Sequence, residues 1–130
     1  AHMFSPFIPA AHFNSRFIVT KDAWFGGGCD LTPTYNEKKV KNTFHKSLKT
    51  FCDKYDKNYY KKFSKWCSEY FFLKHRNEER GIGGIFFDYL DAKSVKNFNF
   101  TVETGNFSHF LHLNNRKRCL QFLFLHFYVL

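Results

Sequence analysis

Two stretches with apolar residues at helical spacing, lying back to back, most constrain what this chain can fold into. Val40, Phe44, Leu48, Phe51, Cys52 and Tyr55 follow one such pattern, and Tyr59, Phe63, Trp66, Cys67, Tyr70 and Leu73 follow the next. Asp56-Lys57-Asn58 is a short connection, so the pair reads as an αα-hairpin. Asn36 is placed to cap the first helix, with Glu37 in its first turn, and the second is expected to run out near His75-Arg76. Strands stand on either side. After a turn punctuated by Pro6 and Pro9, the residues from His12 onward alternate. His12, Asn14, Arg16 and Ile18 fall on one face, and Phe13, Ser15, Phe17 and Val19 on the other. Gly81 to Leu90 reads as a buried strand that glycines open and apolar residues fill. Helices combined with non-sequential strands predict an α+β domain, and 130 residues suit one domain.

Composition removes several classes. Nineteen phenylalanines argue against wholesale disorder, which needs low hydrophobicity. No apolar run approaches the roughly 20 residues that span a bilayer, and no charged-then-apolar leader opens the chain. The net charge of +9 attracts anions in general. Without an RNP motif, finger spacing or an Arg-rich arm, it does not select nucleic acid. Cys29, Cys52, Cys67 and Cys119 lack CxxC spacing, so they read as reduced thiols of a cytosolic or organellar protein and not as a zinc site. All 11 acidic residues lie at or before Glu103. Residues 108–130 carry the basic knot Arg116-Lys117-Arg118 and then LQFLFLHFYVL, which reads as a buried strand or as an exposed, aggregation-prone segment.

Several residues could carry chemistry. On the His12, Asn14, Arg16 face, Arg offers a fork for a carboxylate, Asn a hydrogen bond and His a proton near neutral pH; a solvated edge strand is the ordinary alternative. Gly26-Gly27-Gly28 leaves a stretch of backbone bare, open to a ligand or another chain, but lacks the Gly-Lys-Ser/Thr ending of a P-loop. Asp30, just after it, reads as a turn residue or as a carboxylate aimed at a ligand. In His75-Arg76-Asn77-Glu78-Glu79-Arg80, either arginine could grip an anion beside the following glycines, or the run is a solvated helix end. Seven histidines raise a metal site, although none of the predicted helices carries the i,i+4 pair of a helical one.

Four segments together resemble oxygen-dependent coproporphyrinogen III oxidase, in a bacterial form. They are HFNSR (His12–Arg16), WFGGGCDLTP (Trp24–Pro33), Phe44-His45, and KWCSEYFFLKHRNEERGIGGIFFDYL (Lys65–Leu90). The likeness runs from Ala1 to about Gly105. It implies an antiparallel sheet flanked by helices, and oxidative decarboxylation of two propionates of coproporphyrinogen III to vinyls. The product is protoporphyrinogen IX of haem synthesis, with dioxygen as oxidant. It implies no organic cofactor, a divalent metal of the manganese type on His2, His12, His45 and His75, a cytoplasmic homodimer, and neither nucleic acid nor a membrane span. His12 takes the place of the family's proton donor, Asn14, Ser15 and Arg16 of its substrate-binding stretch, and Asp30 of the aspartate facing the pyrrole N–H groups. Arg16 and Arg80 are the candidates for pairing propionates.

Family members are longer, so the chain is expected to be a fragment, incomplete at both ends. Residues 1–107 are expected to be the central part of that domain and 108–130 a divergent tail. The alternative is a non-catalytic remnant whose basic, aromatic surface binds anions or a partner chain.

Overall fold

The computed structural model describes residues 6–35, 38–114 and 127–129, with 108–114 and 127–129 described as backbone alone. Strands β1 (Ala10–Val19) and β2 (Ala23–Thr32) form an antiparallel hairpin. Thr20 closes its tip, donating to the Asp22 carbonyl from its N–H at 2.8 Å and its hydroxyl at 3.1 Å. Helices α1 (Lys38–Cys52) and α2 (Tyr59–Tyr70) follow, then strand β3 (Gly84–Asp91), helix α3 (Val95–Asn114) and the short strand β4 (Phe127–Val129). The sheet order is β3-β2-β1-β4. β2 runs antiparallel to β1 on one side and to β3 on the other, as expected of an antiparallel sheet, and β4 adds a short parallel pairing against Ser15, Arg16 and Phe17. The architecture is α+β.

Strand alternation sends Phe25, Cys29, Ile85 and Phe87 to the face that meets the helices. There they join Phe44, Leu48, Phe51 and Cys52 of α1, Phe63 of α2 and Phe100 of α3 in one buried cluster. Phe100 is its centre, within ring contact of Phe51, Tyr55, Tyr59, Phe63 and Phe87 at centroid distances of 5.0–5.7 Å. The αα-hairpin stands where the two apolar stripes place it. The cap expected of Asn36 and Glu37 lies outside the described residues.

α2 ends at Tyr70, a turn earlier than its apolar pattern suggests. The Phe71 N–H closes the last turn on the Cys67 carbonyl at 3.1 Å, and the chain then folds back, with the Leu73 N–H donating to the Glu78 carbonyl at 2.9 Å. Asn77, at φ 53°, makes the reversal. Asn suits this left-handed region because its short polar side chain tolerates it. α3 has no counterpart in the sequence reading. Its buried side is Asn97, Phe100, Thr101 and Thr104, while Val95, Phe98 and Val102 stay exposed. Thr101 and Thr104 turn their hydroxyls back onto the Asn97 and Phe100 carbonyls at 2.8 and 2.7 Å, which lets polar residues face the core.

Cys29, Cys52 and Cys67 are buried and form no disulfide. Burial, chiefly, pushes the thiols of Cys52 and Cys67 from an ordinary 9.0 up to about 12; the Asp53 charge adds to the first and the Asp30 charge to the second. An unfolded thiol ionises near 9.0, so this burial favours the fold fully below that pH, and the advantage is lost as pH climbs from 9 toward 12. Both thiols are therefore expected to resist iodoacetamide at pH 8 in the native chain and to react at once in urea, as read by mass spectrometry. Native-state alkylation at the urea rate would show that the burial does not hold.

Candidate active site

The opposite face of the sheet is built quite differently. On β1 it presents His12, Asn14 and Arg16, whose register partners on β2 are Asp30, Gly28 and Gly26. On β3, Gly84 stands beside Asp30 and Phe86 beside Gly28. With no side chains along the middle of β2, groups from the flanking strands reach over it. A cavity of about 280 Å³ results, lined by the His12, Asn14, Arg16 row, Asp30, Arg80 and Phe86 among others. That lies just under the roughly 300–1,000 Å³ of most small-molecule sites, so it receives part of a large ligand.

Asp30 sits at one end, with its side chain only 4% exposed. Direct register opposition brings His12 Nδ1 to 3.3 Å from its Oδ1, and the imidazole is 55% exposed and open to solvent. Arg80 donates to Oδ2 from Nε at 2.7 Å and also from Nη2. The Gly81–Gly83 segment carries Arg80 there. Gly81 and Gly83 take φ of 59° and 78°, which a side chain would strain, and the Ile82 N–H donates to the Leu31 carbonyl at 2.9 Å. The guanidinium also lies 3.7 Å above the Phe71 ring. Arg76, the other candidate in that run, instead pairs with Glu78 on the surface at 2.7 Å.

Asn14 occupies the middle. Its Oδ1 is buried without a hydrogen-bond partner, an acceptor placed against a cavity wall where a ligand donor would satisfy it. At the far end, Arg16 Nη2 donates to Asp88 Oδ2 at 2.8 Å, and the guanidinium lies 5.6 Å from the Phe86 ring centroid. Phe86 is an aromatic wall, stacked by Tyr70 at 4.6 Å and met edge-on by Trp66 and Phe71, both at 5.3 Å. Ser15 does not join the row. Alternation turns it to the opposite face, so of the stretch Asn14–Arg16 only the first and last residues line the cavity.

Of the four histidines expected to hold a metal, three are described, and they do not come together. Among the described residues no three His, Cys, Asp or Glu come together as a metal-holding group, and His2 lies outside them. His45 uses both ring nitrogens, Nδ1 at 3.0 Å from the Tyr60 hydroxyl and Nε2 at 2.7 Å from the Ile82 carbonyl. His12 faces Asp30, and His75 is exposed on the turn after α2. The residues present therefore do not fit that metal. They fit a structural role for His45, which ties α1 and α2 to the segment that carries Arg80.

Tyr70, Phe71, Phe86 and Asp88 belong to the site without standing out in the sequence. The only signal for Phe86 and Asp88 was their even spacing on β3, which places them with Gly84 on the site face. A larger groove of about 640 Å³ lies between α1 and α3, lined by Lys46, Thr50, Phe51, Lys54, Glu103 and Phe107 among others, but no buried polar group converges on it.

A family model described as coproporphyrinogen III oxidase matches residues 1–122. The chain is 56% identical over 106 residues to the oxygen-dependent coproporphyrinogen-III oxidase of Rickettsia akari (strain Hartford). It is 57% identical over the same length to those of Rickettsia rickettsii (strain Sheila Smith) and Rickettsia conorii (strain ATCC VR-613 / Malish 7). These alignments cover 81% of this chain and 38% of each relative, so the chain spans well under half the length of the proteins it matches.

Proposed function

Because the chain belongs to the coproporphyrinogen III oxidase family, we propose that it forms part of the site where two propionates of coproporphyrinogen III are oxidatively decarboxylated to vinyls. The product is protoporphyrinogen IX, dioxygen takes up the electrons, and no organic cofactor takes part. The observation that carries this reading is Asp30, buried and held between His12 and Arg80 at the end of the Asn14–Arg16 row.

Each residue then has a task. Arg16 pairs a propionate carboxylate, for which a guanidinium fork is suited. The bare Asn14 Oδ1 accepts an N–H from a pyrrole. Asp30 accepts another and opposes the positive charge that develops on the ring system as carbon dioxide leaves. His12, exposed and with Nδ1 3.3 Å from that carboxylate, moves the proton. Arg80 spends two donors on Asp30, so it acts first as the group that holds the aspartate and only second as an anion clamp. Phe86 gives the macrocycle an aromatic face. The metal set on His2, His12, His45 and His75 is not part of the proposal, since His45 is committed to Tyr60 and Ile82.

Residues 1–107 are proposed as the enzymatic part and 108–130 as a divergent tail, in a cytoplasmic homodimer. No helix among the described residues is long and apolar enough to cross a membrane.

Incubating the purified chain with coproporphyrinogen III in air, then separating and measuring protoporphyrin by fluorescence, tests the activity. Formation faster than in protein-free buffer is expected, and a rate equal to buffer would remove the activity from this chain. Elemental analysis of the same preparation is expected to find less than stoichiometric divalent metal.

A further inference from the structure

We infer that Asp88 is a positioning residue for Arg16, holding its guanidinium across the bare centre of β2 so that it meets a ligand carboxylate. The inference rests on the proposed function, because the carboxylate is a propionate of the tetrapyrrole.

β1 and β3 are not neighbours, and β2 lies between them. Arg16 can reach Asp88 only by crossing β2, and it crosses at Gly26. A methyl group there would lie 2.7 Å from Arg16 Nε and 2.5 Å from Asp88 Oδ1, so a side chain at position 26 would push the pair apart. Asp88 is itself held on three sides. Its Oδ2 accepts from Arg16 Nη2 at 2.8 Å, while Oδ1 accepts from the Trp24 indole N–H and the Tyr89 backbone N–H, both at 3.0 Å. Tyr89 gives that backbone N–H from φ 54°, a region bulky residues rarely adopt, and its ring stacks on Trp24 at 5.2 Å.

A guanidinium has five N–H donors. The bond to Asp88 uses one nitrogen and leaves others for a second carboxylate, so the pair aims Arg16 without exhausting it. The arrangement also repeats the Arg80–Asp30 pair at the other end of the cavity. Gly26 and Asp30 are four residues apart on β2, so the two pairs are separated by about 13 Å along the strand. A ligand bearing carboxylates on separate edges suits anchors at that spacing.

The test is a double-mutant cycle in the full 130-residue chain. The probe is coproporphyrin III, the stable oxidised form carrying the same four carboxylates, and its binding is read by quenching of tryptophan fluorescence. Arg16→Gln and Asp88→Asn are each expected to weaken binding about tenfold, with the double variant no weaker than Arg16→Gln alone. Binding by Asp88→Asn at wild-type strength, or full multiplication of the two losses in the double variant, would overturn the inference, since a merely structural Asp88 acts independently of Arg16. A wild-type chain that takes up no coproporphyrin III, or Arg16→Gln binding as well as wild type, would overturn the functional reading as well. Should Asp88→Asn fail to fold by circular dichroism, Gly26→Ala replaces it, separating the pair with both charges kept. The same tenfold loss is expected of it, and wild-type binding would refute the role.

Discussion

Asp30→Ala is expected to abolish coproporphyrin III binding by this chain and, at the matching aspartate of a full-length relative, to cut protoporphyrinogen formation by about a hundredfold or more. The carboxylate joins the groups at its end of the cavity, His12 on one side and Arg80 on the other. Its loss releases His12 from its orienting partner and leaves a guanidinium beside Phe71 with no counter-charge. Because the Arg80 side chain is about one-third exposed, water softens that penalty, and the cost in folding stability should be about 1–3 kcal/mol. The chain should thus remain folded while losing its ligand, and Asp30→Asn, which keeps the shape, should show the functional loss with less of the structural one. Near-normal turnover in a folded Asp30→Ala relative would rule out this role.

Phe100→Ala is expected to destabilise the fold by about 3–5 kcal/mol, a large share of the 5–15 kcal/mol that small domains possess. Phe100 is fully buried and is the ring through which α3 reaches α1, α2 and β3 together. Truncation leaves a cavity bounded by five aromatic side chains, stiff enough that collapse around the gap is incomplete. Phe98→Ala, two residues earlier and 51% exposed, should cost no more than about 1 kcal/mol. Urea unfolding of both variants checks the pair. Equal losses would mean that α3 does not dock through Phe100.

The contrast between Phe98 and Phe100 also shows where reading the chain alone runs out. The helices α1 and α2 were legible because their stripes are apolar at regular spacing, which is a local property of each segment. α3 was not legible, because its buried face uses Asn97, Thr101 and Thr104, whose polarity is satisfied by hydrogen bonds made after the helix has formed. The Asn97 carboxamide, for example, accepts from the Tyr59 hydroxyl at 2.8 Å and donates to the Asp91 carbonyl at 3.1 Å. Exposed Val95, Phe98 and Val102 complete the disguise. The end of α2 was overrun for a related reason: Leu73 continues the apolar spacing but belongs to a turn that the Glu78 carbonyl holds.

In the site, the row His12, Asn14, Arg16 and the importance of Asp30 could be read directly, because alternation along a strand needs no knowledge of its neighbours. The same alternation puts Ser15 on the other face, although the family likeness counts it in the substrate-binding stretch. The glycines of β2 could be recognised as a bare surface, but not what lies over it. Which cation meets which carboxylate was decided only by the fold. Arg80 reaches Asp30 from 50 residues away and Arg16 reaches Asp88 from 72 residues away, each because a particular strand or turn was brought alongside. His45 likewise turned from a candidate ligand into a brace once the Ile82 carbonyl stood next to it. Periodicity and residue type travel with the chain, so the sequence by itself determined β1, the αα-hairpin, β3, the polar face and the family. Charge pairing and hydrogen-bond satisfaction depend on distances between distant segments, and those exist only after the sheet has closed its register.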